Sequence, residues 1–136
     1  MIKQLSLAAT AENAAAAADF VEEQLEDIDC PPKARNHINI AVDELYINIA
    51  SYAYGESGGD VTIRVETWEE PRGVSVTFID SGAPFDPLAA PEPDITLPLA
   101  KRGVGGMGIL MVKKLMDEAV YEYRDGRNIM TVKKIF

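Results

Sequence analysis

From Ala14 onward, the apolar positions Ala14, Ala17, Ala18, Val21 and Leu25 recur at spacings of three and four. Such spacing puts them on one stripe of an α-helix. The segment "AENAAAAADFVEEQLEDI" therefore predicts an amphipathic helix with Thr10 as its cap, stopped by Cys30-Pro31-Pro32. A second helix runs from there to about Tyr54, with the stripe Ile38, Ala41, Val42, Leu45 and Ile49. The period then drops to two. In "DVTIRVETW" and "GVSVTFID" the alternating positions are Val61, Ile63 and Val65, then Val74, Val76 and Phe78, with "EEPR" turning the chain between them. That pattern predicts a β-hairpin. "IKQLSL" at the start alternates less cleanly and reads as a short strand.

Patterning stops after "FID" and resumes at "GMGILMVKKLMDE", a third helix. The stretch between carries Pro84, Pro87, Pro91, Pro93 and Pro98; a loop this long inside one domain is functional or disordered. "AVYEYR" and "NIMTVKKI" follow as strands joined by Asp125-Gly126, a strong hairpin signal. The order is thus β-α-α-β-β-loop-α-β-β, in which helices do not alternate with single strands. This predicts an α+β two-layer sandwich: a mixed, mostly antiparallel sheet covered on one face by three helices.

Composition adds bounds. A chain of 136 residues makes one domain, residues 1–136, large enough to bury a core. The formal charge of -9 argues against tight binding to nucleic acid or to an anionic membrane. No run approaches the roughly 18 apolar residues of a membrane span. Cys30 is the single cysteine, so no disulfide framework or Cys-rich metal site is expected. The first residues do not resemble a signal peptide, and a cytoplasmic location is the expectation.

Three places carry candidate chemistry. "RGVGGMGI" contains Gly103-x-Gly105-x-x-Gly108, a dinucleotide-binding pattern, but no strand precedes Gly103 and Glu122 falls mid-strand. A Walker lysine is missing as well, since Lys113 sits more than a turn into the helix. What remains is a glycine-rich helix entry: either an anion cradle of backbone N–H groups or a hinge. On the second helix, Glu44 and Asn48 lie one turn apart on one face. They form either a surface pair or a Mg²⁺-holding amide beside a general base. Finally, Asp80 ends an apolar strand just before Ser81-Gly82. It is either a turn former or an acceptor for an adenine amino group, with Gly82 leaving room for the base. His37 and Cys30 read as structural, Tyr46, Tyr52 and Tyr54 as core edge or dimer surface, and Trp68 as hairpin-end packing.

Taken together, "AVDELYINIASYAY", "FIDSGAPFDP" and "RGVGGMGILMVKKLMDEAVYE" resemble, in order and spacing, the three ATP-binding boxes of the GHKL (Bergerat-fold) superfamily. The branch most similar is that of the anti-sigma factor serine kinases and their regulatory-factor relatives. The resemblance implies ATP and Mg²⁺ as cofactors, with Asn48 holding the metal and Glu44 as general base. It implies Asp80 as the adenine acceptor with Gly82 beside it, and Gly105, Gly106, Met107 and Gly108 around the phosphates. Thr131 resembles the threonine that supports adenine from the sheet, and Arg102 sits where a basic side chain can reach the terminal phosphate. The proline-rich stretch, about 83–104, corresponds to the ATP lid. Such kinases bind a sigma factor, phosphorylate a serine or threonine on an anti-anti-sigma (STAS-type) partner, and form homodimers. Relatives also act in partner-switching circuits, so a nucleotide-binding interaction module without phosphotransfer is the alternative. Tyr52, Pro84 and Arg127 depart from the commoner pattern, where histidine, glycine and threonine stand.

Overall fold

A computed structural model describes residues 1–89 and 106–136, without the side chains of 106 and 107. Strand β1 (Ile2–Ala8) leads through a 3-10 turn at Ala11–Asn13 into α1 (Ala14–Asp27) and α2 (Pro32–Tyr52). The hairpin β2 (Asp60–Glu69) and β3 (Arg72–Asp80) follows, then a 3-10 turn at Pro87–Ala89. Helix α3 (Gly106–Leu115) precedes the second hairpin, β4 (Glu118–Arg124) and β5 (Arg127–Ile135). The strands form one sheet in the order β1-β2-β3-β5-β4.

Every pair of neighbours is antiparallel, which corrects the expected mixed sheet. The cause is topological. Helices α1 and α2 form an up-down pair that returns the chain to the end of the sheet it left, so β2 must run against β1. The single helix α3 makes β4 run in the direction of β3, but β5 folds back and inserts between those two. No parallel contact survives.

One sheet face carries the core. Val61, Ile63 and Val65 of β2, Val74, Val76 and Phe78 of β3, and Met130 and Val132 of β5 are all buried. They face the predicted stripes: Ala17, Val21 and Leu25 of α1, and Ile38, Ala41, Val42 and Leu45 of α2, with Ile109 and Val112 of α3. Burying one large apolar side chain of this kind contributes about 1.5–3 kcal/mol. The opposite face is polar and hydroxyl-rich; Lys133 Nζ lies 4.7 Å from the centroid of the Trp68 ring there.

Local chemistry refines three boundaries. Thr10 makes no side-chain cap bond. Instead its carbonyl accepts the hydroxyl of Tyr46 at 2.6 Å, which places Tyr46 in the core at 1% exposure rather than at its edge. Helix α3 ends at Leu115, short of the predicted Glu118, because the backbone beyond it is taken by β5: Asp117 N–H donates to Lys133 O at 2.9 Å. Lys134 Nζ, at 2.6 Å, satisfies the carbonyl of Leu115. Tyr54 ties the end of α2 to the sheet, donating to Asp60 O at 2.6 Å and accepting from Ser81 N–H at 2.8 Å.

Candidate functional site

The topology brings the C-terminal half of α2, the end of β3, the start of β5 and the start of α3 to one end of the sheet. A cavity with about 430 Å³ of free space, counting its open mouth, is lined there by α2, the end of β3 and the turn after it, β4 and β5, and by no described residue of α3. Its walls are mostly apolar, from Leu45, Ile49, Pro87 and Met130, with Tyr121 along one side. Phe85 also lines it and is paired at its rim with Tyr52, ring centroids 6.4 Å apart. Among the described residues the side chains that bring polar groups to the cavity are Asn48, Asp80 and Asn128, with the Tyr121 hydroxyl. An apolar cleft with a small number of placed polar groups is the usual form of a small-molecule site.

Asp80 is the group most removed from water, at 5% exposure. Its Oδ1 accepts from Gly82 N–H and from Asn128 Nδ2, both at 2.9 Å. Among the described residues none donates to Oδ2. The next turn is packed tightly onto α2: a Cβ on Gly82 would overlap the carbonyl of Ala53, and Ala83 N–H donates to that same carbonyl at 3.2 Å. Gly82 is absent from the cavity lining. Its missing side chain lets the turn approach the end of α2, a different use from the room for a base expected of it.

On α2, Asn48 lines the cavity and Glu44, one turn earlier, does not. The carboxylate of Glu44 lies against the first turn of α3, where a Cβ on Gly108 would overlap it. Helices α2 and α3 therefore meet at a glycine because a carboxylate fills the space. The unpaired backbone N–H groups of a helix start favour an anion there.

Thr131 is not brought to the cavity. Registers alternate faces, and Asp80 pairs with Asn128 whereas Thr131 pairs with Thr77. The Thr131 and Thr77 hydroxyls sit 3.0 Å apart on the opposite face of the sheet. The strand position beside Asp80 belongs to Asn128, which the sequence reading passed over, and Tyr121 on β4 donates its hydroxyl to Asn128. Burial pushes the Tyr121 phenol up from its ordinary value, and the Asp86 and Asp80 carboxylates add to this, so the hydroxyl keeps its proton. A signal existed: counted in twos from Met130 and Val132, position 128 is a polar residue on the buried side.

Arg102 and Gly105 lie outside the described residues, as does the side chain of Met107; Gly106 is the first residue of α3. The expected lid begins with residues 83–89, which the described chain ties down. Pro87 is buried, and Lys113 Nζ donates to Leu88 O at 3.0 Å. Among the described residues no three His, Cys, Asp or Glu side chains are grouped as a metal site. Mg²⁺ takes few protein ligands and completes its shell with phosphates and water, so one arriving with a nucleotide would need no such group; Asn48 would be the side chain at the cavity to offer it a neutral oxygen. No described helix is long and apolar enough to cross a membrane.

Comparison with known proteins agrees with this geometry. Residues 7–134 match the family described as histidine kinase-like ATPase domain. The serine/threonine-protein kinase BtrW of Bordetella bronchiseptica is 30% identical over 100 residues, 74% of this chain and 70% of its own. The serine-protein kinase RsbW of Listeria monocytogenes is 27% identical over 108 residues, covering 76% of this chain and 68% of its own. In fold, the chain resembles the crystal structure of the RsbU and RsbW domains of Rv1364c from Mycobacterium tuberculosis, with a TM-score of 0.68 at 18% identity. That match covers 99% of this chain and 32% of the mycobacterial one, so the chain spans about a third of it. An antiparallel sheet under three helices, an apolar cavity with a buried aspartate, and a family match across nearly the whole length converge: the chain belongs to the histidine kinase-like ATPase domain family, within the GHKL superfamily.

Proposed function

We propose that the cavity binds the adenine end of Mg·ATP and that the chain transfers the terminal phosphoryl group to a serine or threonine of a partner protein. The observation that carries this reading is Asp80: a buried carboxylate at an apolar cavity, one oxygen bonded within the protein and the other without a donor among the described residues. An exocyclic amino group is such a donor, and the apolar walls suit a flat ring.

Bound Mg·ATP would supply the phosphoryl group. The residues of this chain position and neutralise. Asp80 and Asn48, on separate elements of one rigid end of the sheet, would hold the base and the metal apart at a set distance. The start of α3 would offer the N–H groups of its first turn to phosphate oxygens. Glu44 would take the proton of the attacking hydroxyl on its carboxylate, with Arg102 and Gly105 as further phosphate contacts. The resemblance points to an anti-sigma-type regulator in the cytoplasm, acting as a homodimer, with a sigma factor and an anti-anti-sigma protein as partners. The names of the two kinases it is similar to support the serine-kinase part of this reading.

One observation favours the alternative, a nucleotide-binding interaction module: Glu44 lies against α3 and not in the cavity. Thermal shift with Mg·ATP, Mg·ADP and NAD, repeated on Asp80→Asn, tests the binding. Ligand at about 100 times its dissociation constant adds roughly 2.7 kcal/mol, or on the order of 10 °C for a domain of this size. Adenine nucleotides should raise the wild-type midpoint and leave the variant unmoved, and NAD should do nothing. A flat wild-type response to ATP and ADP would end the nucleotide reading. Binding without label transfer from γ-labelled ATP to any serine-bearing partner would leave the interaction module.

A further inference from the structure

We infer that Asn128 is the positioning residue of this site: it commits one oxygen of Asp80 to the protein and joins the Ala83–Phe85 wall to the sheet, so that the cavity is set before any ligand enters. An asparagine side chain has two N–H donors and two acceptor positions. All four are used. Nδ2 donates to Asp80 Oδ1 at 2.9 Å and to Ala83 O at 2.9 Å, with Gly82 O further off at 3.4 Å. Oδ1 accepts Phe85 N–H at 3.1 Å and the Tyr121 hydroxyl. The residue is 6% exposed.

This arrangement settles which end of the amide points where. Asp80 Oδ1 and Ala83 O can only accept, and Phe85 N–H can only donate, so the flipped amide would face two acceptors with an oxygen and a donor with a donor. It also separates Asn128 from a ligand contact. With no donor or acceptor left over, the side chain offers nothing to a bound base and acts through the groups it holds. A serine or threonine at 128 has one donor and cannot serve both Asp80 and the wall. A carboxylate has none and would oppose Asp80 at hydrogen-bond distance.

The consequence for the site is specific. With Oδ1 occupied by Gly82 and Asn128, Asp80 presents Oδ2, to which no described residue donates, in one orientation. The wall from Ala83 to Phe85, which sets the width of the cavity and carries the rim aromatic, is held by that same amide. Base acceptor and wall are thus fixed relative to one another by one side chain from β5.

Two measurements test this, and the first needs no nucleotide. Amide hydrogen exchange on the free protein should show Phe85 N–H exchanging about tenfold faster or more in Asn128→Ala, the equivalent of one lost hydrogen bond. Core amides such as Val76 and Ile63 should change less. The second is Mg·ADP affinity by calorimetry, which rests on the nucleotide reading and should fall about tenfold or more in Asn128→Ala. Asn128→Asp, identical in shape, covers the case in which the alanine variant fails to fold. Its new carboxylate faces Asp80 from β3, with the Tyr121 phenol from β4 and Asp86 from the wall as the other titratable groups around it. Two carboxylates this close cannot both ionise freely, so one must hold a proton. The deficit of Asn128→Asp relative to wild type should therefore shrink as pH falls from about 8 to about 5.5. Uniform acceleration of all amides, an unchanged Phe85 amide, or a pH-independent deficit would each overturn the assignment, because a residue that merely supports the fold gives those results. If the wild type binds no Mg·ADP, the nucleotide reading fails alone and Phe85 exchange still decides the role of Asn128.

Discussion

A single methyl group at position 108 sets two effects of opposite sign against each other. Gly108 lies in the first turn of α3. Replacing glycine by alanine inside a helix gains up to about 1 kcal/mol. On a chain of this length that is an increase in Tm of roughly 3–5 °C. Against it stands Glu44, whose carboxylate occupies the place of the new Cβ, with Glu44 Cγ only 3.1 Å from it. The overlapping atoms are the far end of a half-buried side chain, so Glu44 can swing aside. An off-rotamer position costs about 0.5–1.5 kcal/mol. Moving the carboxylate away from the start of α3 forfeits a further 0.3–1 kcal/mol or so. The gain is cancelled or exceeded, and Gly108→Ala alone should leave the protein unchanged or less stable by up to about 1.5 kcal/mol. In a Glu44→Ala background the obstacle is gone, and the same substitution should stabilise by up to about 1 kcal/mol. Urea unfolding of the four proteins measures the coupling directly, expected at about 1–2.5 kcal/mol. If Gly108→Ala stabilises equally in both backgrounds, Glu44 does not lie against α3, and the account of a glycine kept at 108 by the carboxylate of α2 is refuted.

Two further outcomes follow from single side chains. Tyr54→Phe removes the hydroxyl that joins Asp60 O to Ser81 N–H, and at a position water can reach this should cost about 0.5–1.5 kcal/mol in urea unfolding and weaken the nucleotide-induced thermal shift, since Ser81 adjoins Asp80; an unchanged midpoint and shift would show that the junction carries nothing. His37 has its pKa lowered by burial first, with Lys134 and Lys33 adding, and its Nδ1 is buried without a partner among the described residues. The folded value lies below the unfolded one, near 6.5, so this contribution to stability is present above about pH 6.5 and is lost as pH falls through the folded value. Stability measured from about pH 7.5 to pH 5 should decline less in His37→Gln than in wild type, and parallel curves would refute it.

The elements were legible in the sequence because their periods are clean. Two stripes of period 3.6, four alternating strands and Asp125-Gly126 left little freedom in what the local structures are. Asp80 was legible for a related reason: a charge closing an apolar strand costs free energy unless something holds it, and here Gly82 N–H and Asn128 do so. The neighbour of β3 was not legible. Nothing in "NIMTVKKI" says that this strand, rather than "AVYEYR", lies beside β3, since both hairpin orders satisfy the same alternation. Without that neighbour the resemblance supplies Thr131 by residue type, and nothing in the pattern draws Asn128 to the site. Type misleads here because the parity of β5 is already set by Met130 and Val132, which put position 131 outside and position 128 inside.

Strand parity and site chemistry are one constraint seen from two sides. On the buried parity of β3 the residues run Val74, Val76, Phe78, Asp80, and on that of β5 they run Asn128, Met130, Val132, Lys134. Each strand stays apolar through the core and turns polar at its ends, and antiparallel pairing brings Asp80 opposite Asn128 at the same end. Neither could be buried there alone, because an unpaired carboxylate or amide at 5% or 6% exposure carries a desolvation cost that only a partner offsets. The pair can be buried, and having bonded to each other they still leave one carboxylate oxygen to which no described residue donates. A core built only for stability gains nothing from that remaining acceptor at a cavity, whereas a site that must receive a donor requires it.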